Sequence, residues 1–447
     1  MATSSESVCV IGLWHLGLVT AACLADLGRT VVGFDTSPEL IDGLRSGRLP
    51  LFEPGLEELL AQGIAEERLS FTDDPREALS GARYVIVAYD TTVDESDESD
   101  LSQVMGAASL MAEHLEDGSI VIISSQVPVG TCQQIQETIR DARPSLEFGI
   151  ACVPENLRLG QAIERFKKPD MIVIGSDDPT AASAVDALLT GVDAPRIVVG
   201  TRTAEMTKHA LNAFLATSIS FANEMANLCD VAGADALDVA RALHLDRRVG
   251  PLAPLRPGLG FAGGTLARDL KTLRRLGERS GTETPLINGV LTVNEQQNRV
   301  VARKLTETCG SLQGITVGVL GLTYKPGTST LRRSIALEII SELTSLGAAV
   351  KAFDPRANRE ELPDIANFEF CPDASAVAEG SDALVIVTEW PEFRDLDFAA
   401  IKMSMRTPVL VDAQNMLDAN EMTGMGFQYL GVGRGSALPA GSVGNKS

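Results

Sequence analysis

The chain has 447 residues and a formal net charge of -22, and 45% of its residues are hydrophobic. This length suggests about three folding units of roughly 150 residues each, and the apolar content excludes a disordered chain. The strong negative charge disfavours nucleic acid as a partner, because it would repel a phosphate backbone.

The sequence shows neither a targeting segment nor a metal-binding motif. The opening MATSSES lacks the regions of a signal peptide, and no apolar run reaches the roughly 18 residues of a membrane helix, so we expect a cytoplasmic protein. The seven cysteines are widely spaced and form no CxxC pair, which predicts reduced and mostly buried thiols. The four histidines show no ligand spacing, so no metal is expected.

The first half of the chain alternates β-rich runs with helical patterns. A strand over residues 8–11 leads through the turn 12–17 into an Ala-rich helix over 18–27, and the strand Thr30–Phe34 follows and ends in Asp35. Further strands are predicted over residues 84–88, 120–124 and 171–175. Such alternation predicts a parallel, doubly wound sheet.

The pattern then becomes helical. Residues 203–228 predict one unusually long helix, and helical character continues to about residue 297, interrupted by the Pro- and Gly-rich loop 250–264 where we expect chemistry. A strand over Thr316–Leu320, a helix over 334–346 and the strand Ala349–Phe353, which ends in Asp354, repeat the opening arrangement. Strands over 383–387 and 409–411 extend it.

The predicted fold is therefore α/β, with two Rossmann-like doubly wound domains joined by a long central helix and a helical segment. We place the N-terminal domain at residues 1–200, the helical domain at 201–300, the C-terminal domain at 310–435 and a disordered tail at 436–447.

The first turn resembles a dinucleotide-binding fingerprint. Gly12, Trp14 and Gly17 occupy the glycine positions of GxGxxG, whose glycines allow a tight turn and close approach to a pyrophosphate. The bulk of Trp14 should displace the pyrophosphate or force a different turn, so a non-binding turn is an open alternative. Asp35, about 20 residues on, favours binding and would select NAD over NADP by repelling a 2′-phosphate.

Longer motifs follow in order along the chain. They are QVPVGT at 126–131, VPENLR at 153–158, KxxxN at 208–212, GLGFAGGTLARDL at 258–270, GLTYKPGT at 321–328, TEW at 388–390 and DAQN at 412–415. Together they resemble the motifs of the UDP-glucose/GDP-mannose dehydrogenase family, from about residue 8 to residue 434. The resemblance implies NAD on the first domain and a UDP-sugar or other nucleotide-sugar on the C-terminal domain. It also implies a homodimer formed through the central helices, or a higher homo-oligomer.

The resemblance also implies roles for individual residues. The catalytic positions are Lys208, Asn212, Asp269, Glu155 and Thr265. Cofactor contacts are expected from Gly12, Trp14, His15, Leu16, Gly17, Asp35, Gln126 and Arg332. Substrate contacts are expected from Glu155, Asn156, Leu157, Arg158, Lys208, Asn212, Arg248, Phe261, Gly263, Gly264, Tyr324 and Lys325. Arg248 lies in a stretch resembling DxRIG and is expected to reach the substrate of a neighbouring subunit.

The residue types suit alcohol oxidation. Lys208 and Asn212 are four residues apart and share one helix face, where an ammonium and an amide could stabilise a developing alkoxide or orient a water. Asp269 could act as an acid or base and Glu155 as a water-positioning carboxylate. Without the motifs, the commoner interpretation of Lys208 and Asn212 would be a solvated helix face. For Asp269, a carboxylate that stabilises a helix N-terminus would be as good an interpretation as a catalytic group.

One departure concerns the nucleophile. The family oxidises the sugar C6 alcohol in two hydride transfers, the second from a thiohemiacetal on a cysteine to a thioester that water hydrolyses, and Thr265 stands at that cysteine position. A threonine hydroxyl is a much weaker nucleophile than a thiolate. Other family positions differ at Gln126, Leu159, Arg268 and Gln414. We therefore expect NAD-dependent oxidation of a UDP-hexose that stops after two electrons.

Two other functions stay open. A redox-neutral enzyme such as an epimerase would return the hydride and turn over without accumulating NADH. A non-catalytic nucleotide-sugar-binding protein is favoured by Trp14 and Thr265, whereas the joint presence of Lys208, Asn212 and Asp269 argues against it.

Overall fold

The computed structural model describes residues 7–91, 100–261, 264–331, 333–361 and 367–435. The chain divides into a first compact unit that ends at Leu211 and a second that begins at Asn212. The finer division into three domains stays a prediction, and the predicted disordered tail at 436–447 lies outside the described residues.

The first unit is built on a sheet whose described strands follow the order β3-β2-β1-β4-β5-β6-β7-β8. The strands are β1 (Ser7–Ile11), β2 (Thr30–Phe34), β3 (Leu69–Thr72), β4 (Tyr84–Val87), β5 (Ile120–Ile123), β6 (Gly149–Cys152), β7 (Ile172–Gly175) and β8 (Arg196–Val199). The helices are α1 (His15–Asp26), α2 (Pro38–Arg45), α3 (Leu56–Ala65), α4 (Pro75–Leu79), α5 (Ser102–His114), α6 (Thr131–Ala142), α7 (Ala162–Lys167) and α8 (Pro179–Leu188).

Burial on both faces explains why these strands read as continuous apolar runs. Along β1, Val8 and Val10 pack into one hydrophobic cluster, whereas Cys9 and Ile11 pack into another on the opposite face. Helices cover both faces of a parallel sheet, so alternate residues of each strand are equally buried. The helices begin at local signals, as at α8, where Asp178 accepts the N–H of Thr180 before a proline at the first helical position.

The second unit begins within the long helix α9 (Thr201–Ala232) and contains a smaller sheet. Its described strands follow the order β11-β10-β9-β12-β13-β14. They are β9 (Thr316–Leu320), β10 (Ala349–Phe353), β11 (Glu369–Phe370), β12 (Ala383–Ile386), β13 (Val409–Asp412) and β14 (Gln428–Gly431). The helices are α10 (Ala236–Leu245), α11 (Thr265–Ser280), α12 (Pro285–Gln297), α13 (Val300–Cys309), α14 (Ile335–Ser345), α15 (Ala374–Ala378), α16 (Phe398–Ser404) and α17 (Ala419–Gly424).

The predicted α/β architecture with two Rossmann-like sheets is confirmed. The long helix exceeds its predicted bounds at both ends and reaches 32 residues. One feature of the sheet differs from the prediction, because β6 pairs with β7 in the antiparallel direction, while the other described strand pairs of both sheets are parallel. Among the described helices, none has the length and apolarity required to cross a membrane.

Both sheets carry the same first turn. Gly12 follows β1 with φ +91° and donates its N–H to the carbonyl of Phe34 at 2.9 Å. Gly321 follows β9 with φ +93° and donates to the carbonyl of Phe353 at 2.8 Å. A Cβ at Gly321 would lie 2.5 Å from the backbone nitrogen of Thr388, so both the backbone angle and the packing require glycine here.

We expect Gly321→Ala to lower the free energy of unfolding of the second unit by about 3 kcal/mol, combining left-handed strain with a steric clash. Gly327→Ala is the matched control, because Gly327 has φ +79° but open space around its Cβ position, and it should cost only about 1 kcal/mol. Urea unfolding followed by the fluorescence of the buried Trp390 measures both. An equal loss of unfolding free energy in the two variants would contradict a role for packing at Gly321.

Candidate functional site

The turn after β1 is closely packed around its two glycines. A Cβ at Gly12 would lie 2.7 Å from the ring of Tyr89, and a Cβ at Gly17 would lie 1.7 Å from the carbonyl oxygen of Gly12. The helix α1 is therefore held against the turn at a distance that only glycine permits. This is the close approach of strand, turn and helix on which dinucleotide binding depends.

The neighbouring side chains Trp14 and His15 have different surroundings. Trp14 is the N-cap of α1, and 52% of its surface is exposed, so the indole does not fill the turn. The ring of His15 is bound through Nε2 to the carboxylate of Glu53 at 3.0 Å. Glu53 is buried and also accepts the backbone N–H groups of Gly160 and Ala162. His15 is thus fixed by a carboxylate that also anchors α7.

Two carboxylates bind the backbone of this turn. Asp35 accepts the N–H of Leu13 at 2.9 Å and that of Ser37 at 3.1 Å. Asp90 accepts the N–H of Leu16 at 3.1 Å, within the first turn of α1. The helix N-terminus therefore binds an anionic group already, as the positive end of the helix dipole favours. The two closely packed glycines and the helix N-terminus are features that suit this turn to binding a dinucleotide.

The corresponding carboxylate of the second unit binds groups of its own unit. Asp354 is buried, and its Oδ2 accepts the N–H groups of Leu322 and Thr323 at 2.7 and 2.9 Å. The same oxygen accepts the indole N–H of Trp390 at 3.0 Å. Asp354 therefore stabilises its turn from within.

The predicted substrate residues Tyr324 and Lys325 follow that turn and are partly exposed. The Lys325 ammonium lies 5.5 Å from the centre of the Tyr324 ring, which is within the range of a cation–π contact. This pair presents one positive charge beside an aromatic face.

Lys208 is bound to the loop that follows β6. Its ammonium donates to the carbonyl oxygen of Glu155 at 2.5 Å and to Oδ1 of Asn156 at 3.1 Å. The Glu155 carboxylate lies 3.8 Å from the same ammonium and accepts the N–H of Leu157. The structure therefore brings the predicted residues Lys208, Glu155, Asn156 and Leu157 together.

Asn212 lies one helical turn further along α9 and is paired with Asp269. Its amide nitrogen donates to Oδ2 of Asp269, which is fully buried. Arg268 lies beside this carboxylate, with Nε 3.9 Å from Oδ1. Because Asn212 donates through its nitrogen, its amide oxygen is directed elsewhere and can accept a hydrogen bond.

Amide side chains hold the backbone of the predicted catalytic loop. Asn223 accepts the N–H of Gly258 at 2.9 Å and donates to the carbonyl of Leu259 at 3.0 Å. Asn294 accepts the N–H of Phe261 at 2.7 Å. Gln297 donates to the carbonyl of Gly258 at 2.6 Å. The conformation of residues 258–261 is therefore set by side chains from α9 and α12.

Thr265 is the first residue of α11, and it is exposed. Its N-cap, Gly264, lies near the Arg333 guanidinium, which would be 3.4 Å from a Cβ at that glycine. Arg333 has φ +58°, a left-handed conformation that is uncommon for a residue with a side chain. A positive charge is thus held beside the exposed hydroxyl-bearing end of α11.

The cysteines lie elsewhere, and all are free thiols, as predicted. They pack in hydrophobic clusters other than the one that contains Leu266 and Leu270 of α11, except Cys309, which is exposed at the end of α13. Burial raises the pKa of Cys23 to about 12 and also raises those of Cys9, Cys229, Cys309 and Cys371. These groups are protonated thiols at neutral pH, not nucleophilic thiolates.

The remaining predicted site residues are placed as follows. Gln126 accepts a hydrogen bond from the Thr91 hydroxyl at its carbonyl oxygen, 2.8 Å away. Arg158 is exposed. Arg248 has 89% of its side chain exposed and binds Asp246 through Nη2 at 2.7 Å. Gly263 and Arg332 lie outside the described residues.

The sequence analysis did not identify the side chains that hydrogen-bond the backbone of residues far away in the sequence. The main examples are Asp90, Glu53, Asn223, Asn294 and Gln297. Asp90 left a usable signal, since it follows β4, which neighbours β1 in the strand order expected for such a sheet. Asn223, Asn294 and Gln297 gave no such signal, because the sequence around a polar residue in a helix does not indicate which loop it binds.

The chain matches models of three domains of one family. The NAD binding domain of the UDP-glucose/GDP-mannose dehydrogenase family matches residues 6–193. The central domain of that family matches residues 202–296, and its UDP binding domain matches residues 318–419.

Individual proteins are similar over nearly the whole length. A UDP-glucose 6-dehydrogenase of Rhizobium meliloti (strain 1021) is 38% identical over 434 residues, covering 96% of this chain and 99% of that protein. A UDP-glucose 6-dehydrogenase of Bacillus subtilis (strain 168) is 36% identical over 431 residues, covering 96% and 93%. The solved UDP-glucose dehydrogenase of Pyrobaculum islandicum has a TM-score of 0.86 at 34% identity and covers 97% of this chain and 99% of its own.

We expect Gly260→Ala to lower kcat/KM for nucleotide-sugar oxidation by roughly 100-fold, the usual effect of moving a site by about 1 Å. A Cβ there would lie 2.5 Å from Oδ1 of Asn294 and would displace the amide that holds Phe261. Gly289→Ala, on α12 with open space around its Cβ position, is the control and should retain activity. A fully active Gly260→Ala variant would contradict the importance of this clamp.

Proposed function

The chain belongs to the UDP-glucose/GDP-mannose dehydrogenase family, and from that membership we propose that it oxidises the C6 alcohol of a UDP-linked hexose in one two-electron step. As a member of the family it is an NAD-dependent oxidoreductase that acts on the CH–OH group of a nucleotide sugar. The observation that carries the proposal is Thr265, an exposed hydroxyl at the position of the family's cysteine.

The electron balance of the proposed step is simple. Oxidation of a primary alcohol to an aldehyde removes two electrons and two protons. Bound NAD would supply the acceptor for the electron pair and one hydrogen, transferred as a hydride, and the second proton leaves from the hydroxyl oxygen. In the family that the motifs resemble, the second oxidation proceeds from an aldehyde held covalently by a cysteine thiolate, a group that position 265 does not supply.

Lys208 is proposed to stabilise the alkoxide that develops as the hydroxyl proton leaves. Its ammonium is held in place by Glu155 and Asn156, so its charge is positioned before the reaction. Asn212 is proposed to orient the water that takes the proton, through its amide oxygen. Asp269 then acts as a positioning residue, because it is fully buried and fixes the Asn212 amide.

UDP-hexose as the substrate class rests on the matched UDP binding domain and on relatives named UDP-glucose 6-dehydrogenase. The pair Tyr324 and Lys325, after the first turn of the second sheet, supports nucleotide-sugar binding by offering an aromatic face and a cation. A solved relative named UDP-D-ManNAc dehydrogenase, from Pyrococcus horikoshii, has a TM-score of 0.84 at 27% identity and covers 96% of this chain and 99% of its own, so UDP-N-acetylhexosamines belong in the substrate panel.

We expect the wild type to form one NADH per UDP-hexose consumed, with a carbonyl product identified by mass spectrometry. Thr265→Cys should raise the yield towards two NADH and a uronic acid, because it supplies the missing thiol. Thr265→Ser, which keeps a hydroxyl, is the matched control and should stay at one.

Other outcomes identify the alternatives. Two NADH and a uronic acid from the wild type would refute the truncated reaction. A changed sugar without NADH would indicate a redox-neutral enzyme, and an unchanged sugar a binding protein.

A homodimer through α9 is also part of the proposal. Phe214, Phe221 and Leu228 are spaced seven residues apart and are 64%, 44% and 56% exposed. Seven residues nearly complete two helical turns, so these side chains form one apolar stripe along the helix. Covering this stripe with its copy in a second chain would bury surface that water otherwise contacts.

We expect Phe221→Asp to weaken dimerisation by at least about tenfold in dissociation constant, since a buried, unpaired carboxylate is costly. Met403→Asp is the control, because it places the same charge at an exposed apolar residue of α16, outside α9. Analytical ultracentrifugation measures both. A wild type that is monomeric at micromolar concentration, or an unaffected Phe221→Asp dimer, would contradict the stripe as the interface.

A further inference from the structure

The first unit places a carboxylate where a dinucleotide would place a phosphate. Asp90 follows β4, which lies beside β1 in the sheet, so the two strands end at the same edge. From there its Oδ2 accepts the N–H of Leu16 at 3.1 Å, and the N–H of His15 also faces this carboxylate. These are N–H groups at the start of α1, which begins at His15 within the fingerprint segment 12–17.

Backbone N–H groups at this point of a Rossmann-type fold are those that a pyrophosphate binds. A carboxylate and a phosphate oxygen are both anions that accept from such donors, and one N–H cannot fully satisfy both. Two anions in contact at a partly desolvated site also repel each other. Asp90 and the cofactor therefore compete.

We propose that Asp90 is a built-in competitor for the pyrophosphate of NAD, because its carboxylate binds the N-terminus of α1 and must release it for the cofactor to bind. This inference rests on the proposed function in one respect, namely that NAD is the ligand of this turn. It adds a residue that sets cofactor affinity and makes that affinity dependent on pH.

The charges around Asp90 determine the direction of the pH dependence. Burial raises its pKa, hydrogen bonding from the Leu16 N–H and the charge of His15 lower it, and Glu155 raises it. His15 is itself bound to Glu53, and Glu155 faces Lys208. Protonation removes the negative charge that competes with the phosphate. NAD affinity is therefore highest below the raised pKa of Asp90 and falls as pH rises through it.

The test is the dissociation constant of NAD, measured without nucleotide sugar by isothermal titration calorimetry across the acidic to neutral range. Asp90→Asn keeps the shape of the side chain and an oxygen that can accept from Leu16, but removes the charge. We expect at least tenfold tighter binding at neutral pH, which corresponds to about 1.4 kcal/mol. We also expect wild type, but not Asp90→Asn, to take up protons as NAD binds.

Asp178→Asn is the matched control. Asp178 caps α8 by accepting the N–H of Thr180 at 2.8 Å, so the substitution makes the same chemical change at another helix of the same unit. It should leave NAD affinity and proton uptake unchanged. Quenching of the exposed Trp14 is an independent signal of occupancy, because the second tryptophan, Trp390, is buried in the other unit.

The outcomes separate this inference from the proposed function. If Asp90→Asn loses thermal stability but binds NAD as the wild type does, Asp90 is only a helix cap and the inference is wrong, while one NADH per sugar could still be observed. If neither protein binds NAD at any pH, both the inference and the assignment of the cofactor to this turn are wrong.

Discussion

One hydrogen bond organises each half of the molecule: the backbone N–H after the first turn glycine donates to the carboxylate that ends the second strand. It joins Leu13 to Asp35 at 2.9 Å and Leu322 to Asp354 at 2.7 Å. The bond holds the turn against the strand end and so determines where the following segment begins. The two units then diverge, because Asp354 also accepts from Trp390, whereas the turn of the first unit lies next to Asp90.

The residues of the proposed reaction are held by polar contacts within each unit, while the reactive group expected at position 265 is changed. Lys208 is held by a carbonyl partner in the first unit, and Asn212 by a carboxylate partner in the second. Residues 258–261 are held by amides from two helices. Such preorganisation costs nothing at the moment of reaction and suits hydride removal from an alcohol. It does not supply a nucleophile, which is why we propose that the reaction ends at the carbonyl stage.

Local patterns predicted the fold well because apolar periodicity, turn glycines and strand-ending aspartates act within one element or between adjacent ones. The strands β9 and β10 were predicted to the residue. The strands β3, β8 and β11 were missed because they lie at sheet edges and include polar residues. The inner strands β4 and β5 are as short as β3 and β8 but were predicted, because they are continuous apolar runs. The candidate site was predicted only where a motif carried it. Asp90 was not predicted, because its hydrogen-bond partner Leu16 is 74 residues away. Hydrogen bonds between such distant residues depend on the order of the strands in the sheet and not on a local pattern.

The state of the cysteines also bears on how the protein would withstand oxidants and alkylating agents. Peroxides and electrophiles attack thiolates, and they stop enzymes whose turnover passes through one. In the proposed reaction, position 265 carries a hydroxyl in place of a thiol, and six of the seven cysteines are buried. An enzyme built this way needs no reductant to keep its centre intact. The proposed reaction would therefore continue under oxidative conditions that inactivate enzymes with a thiolate nucleophile, and Cys309 is the cysteine most accessible to damage.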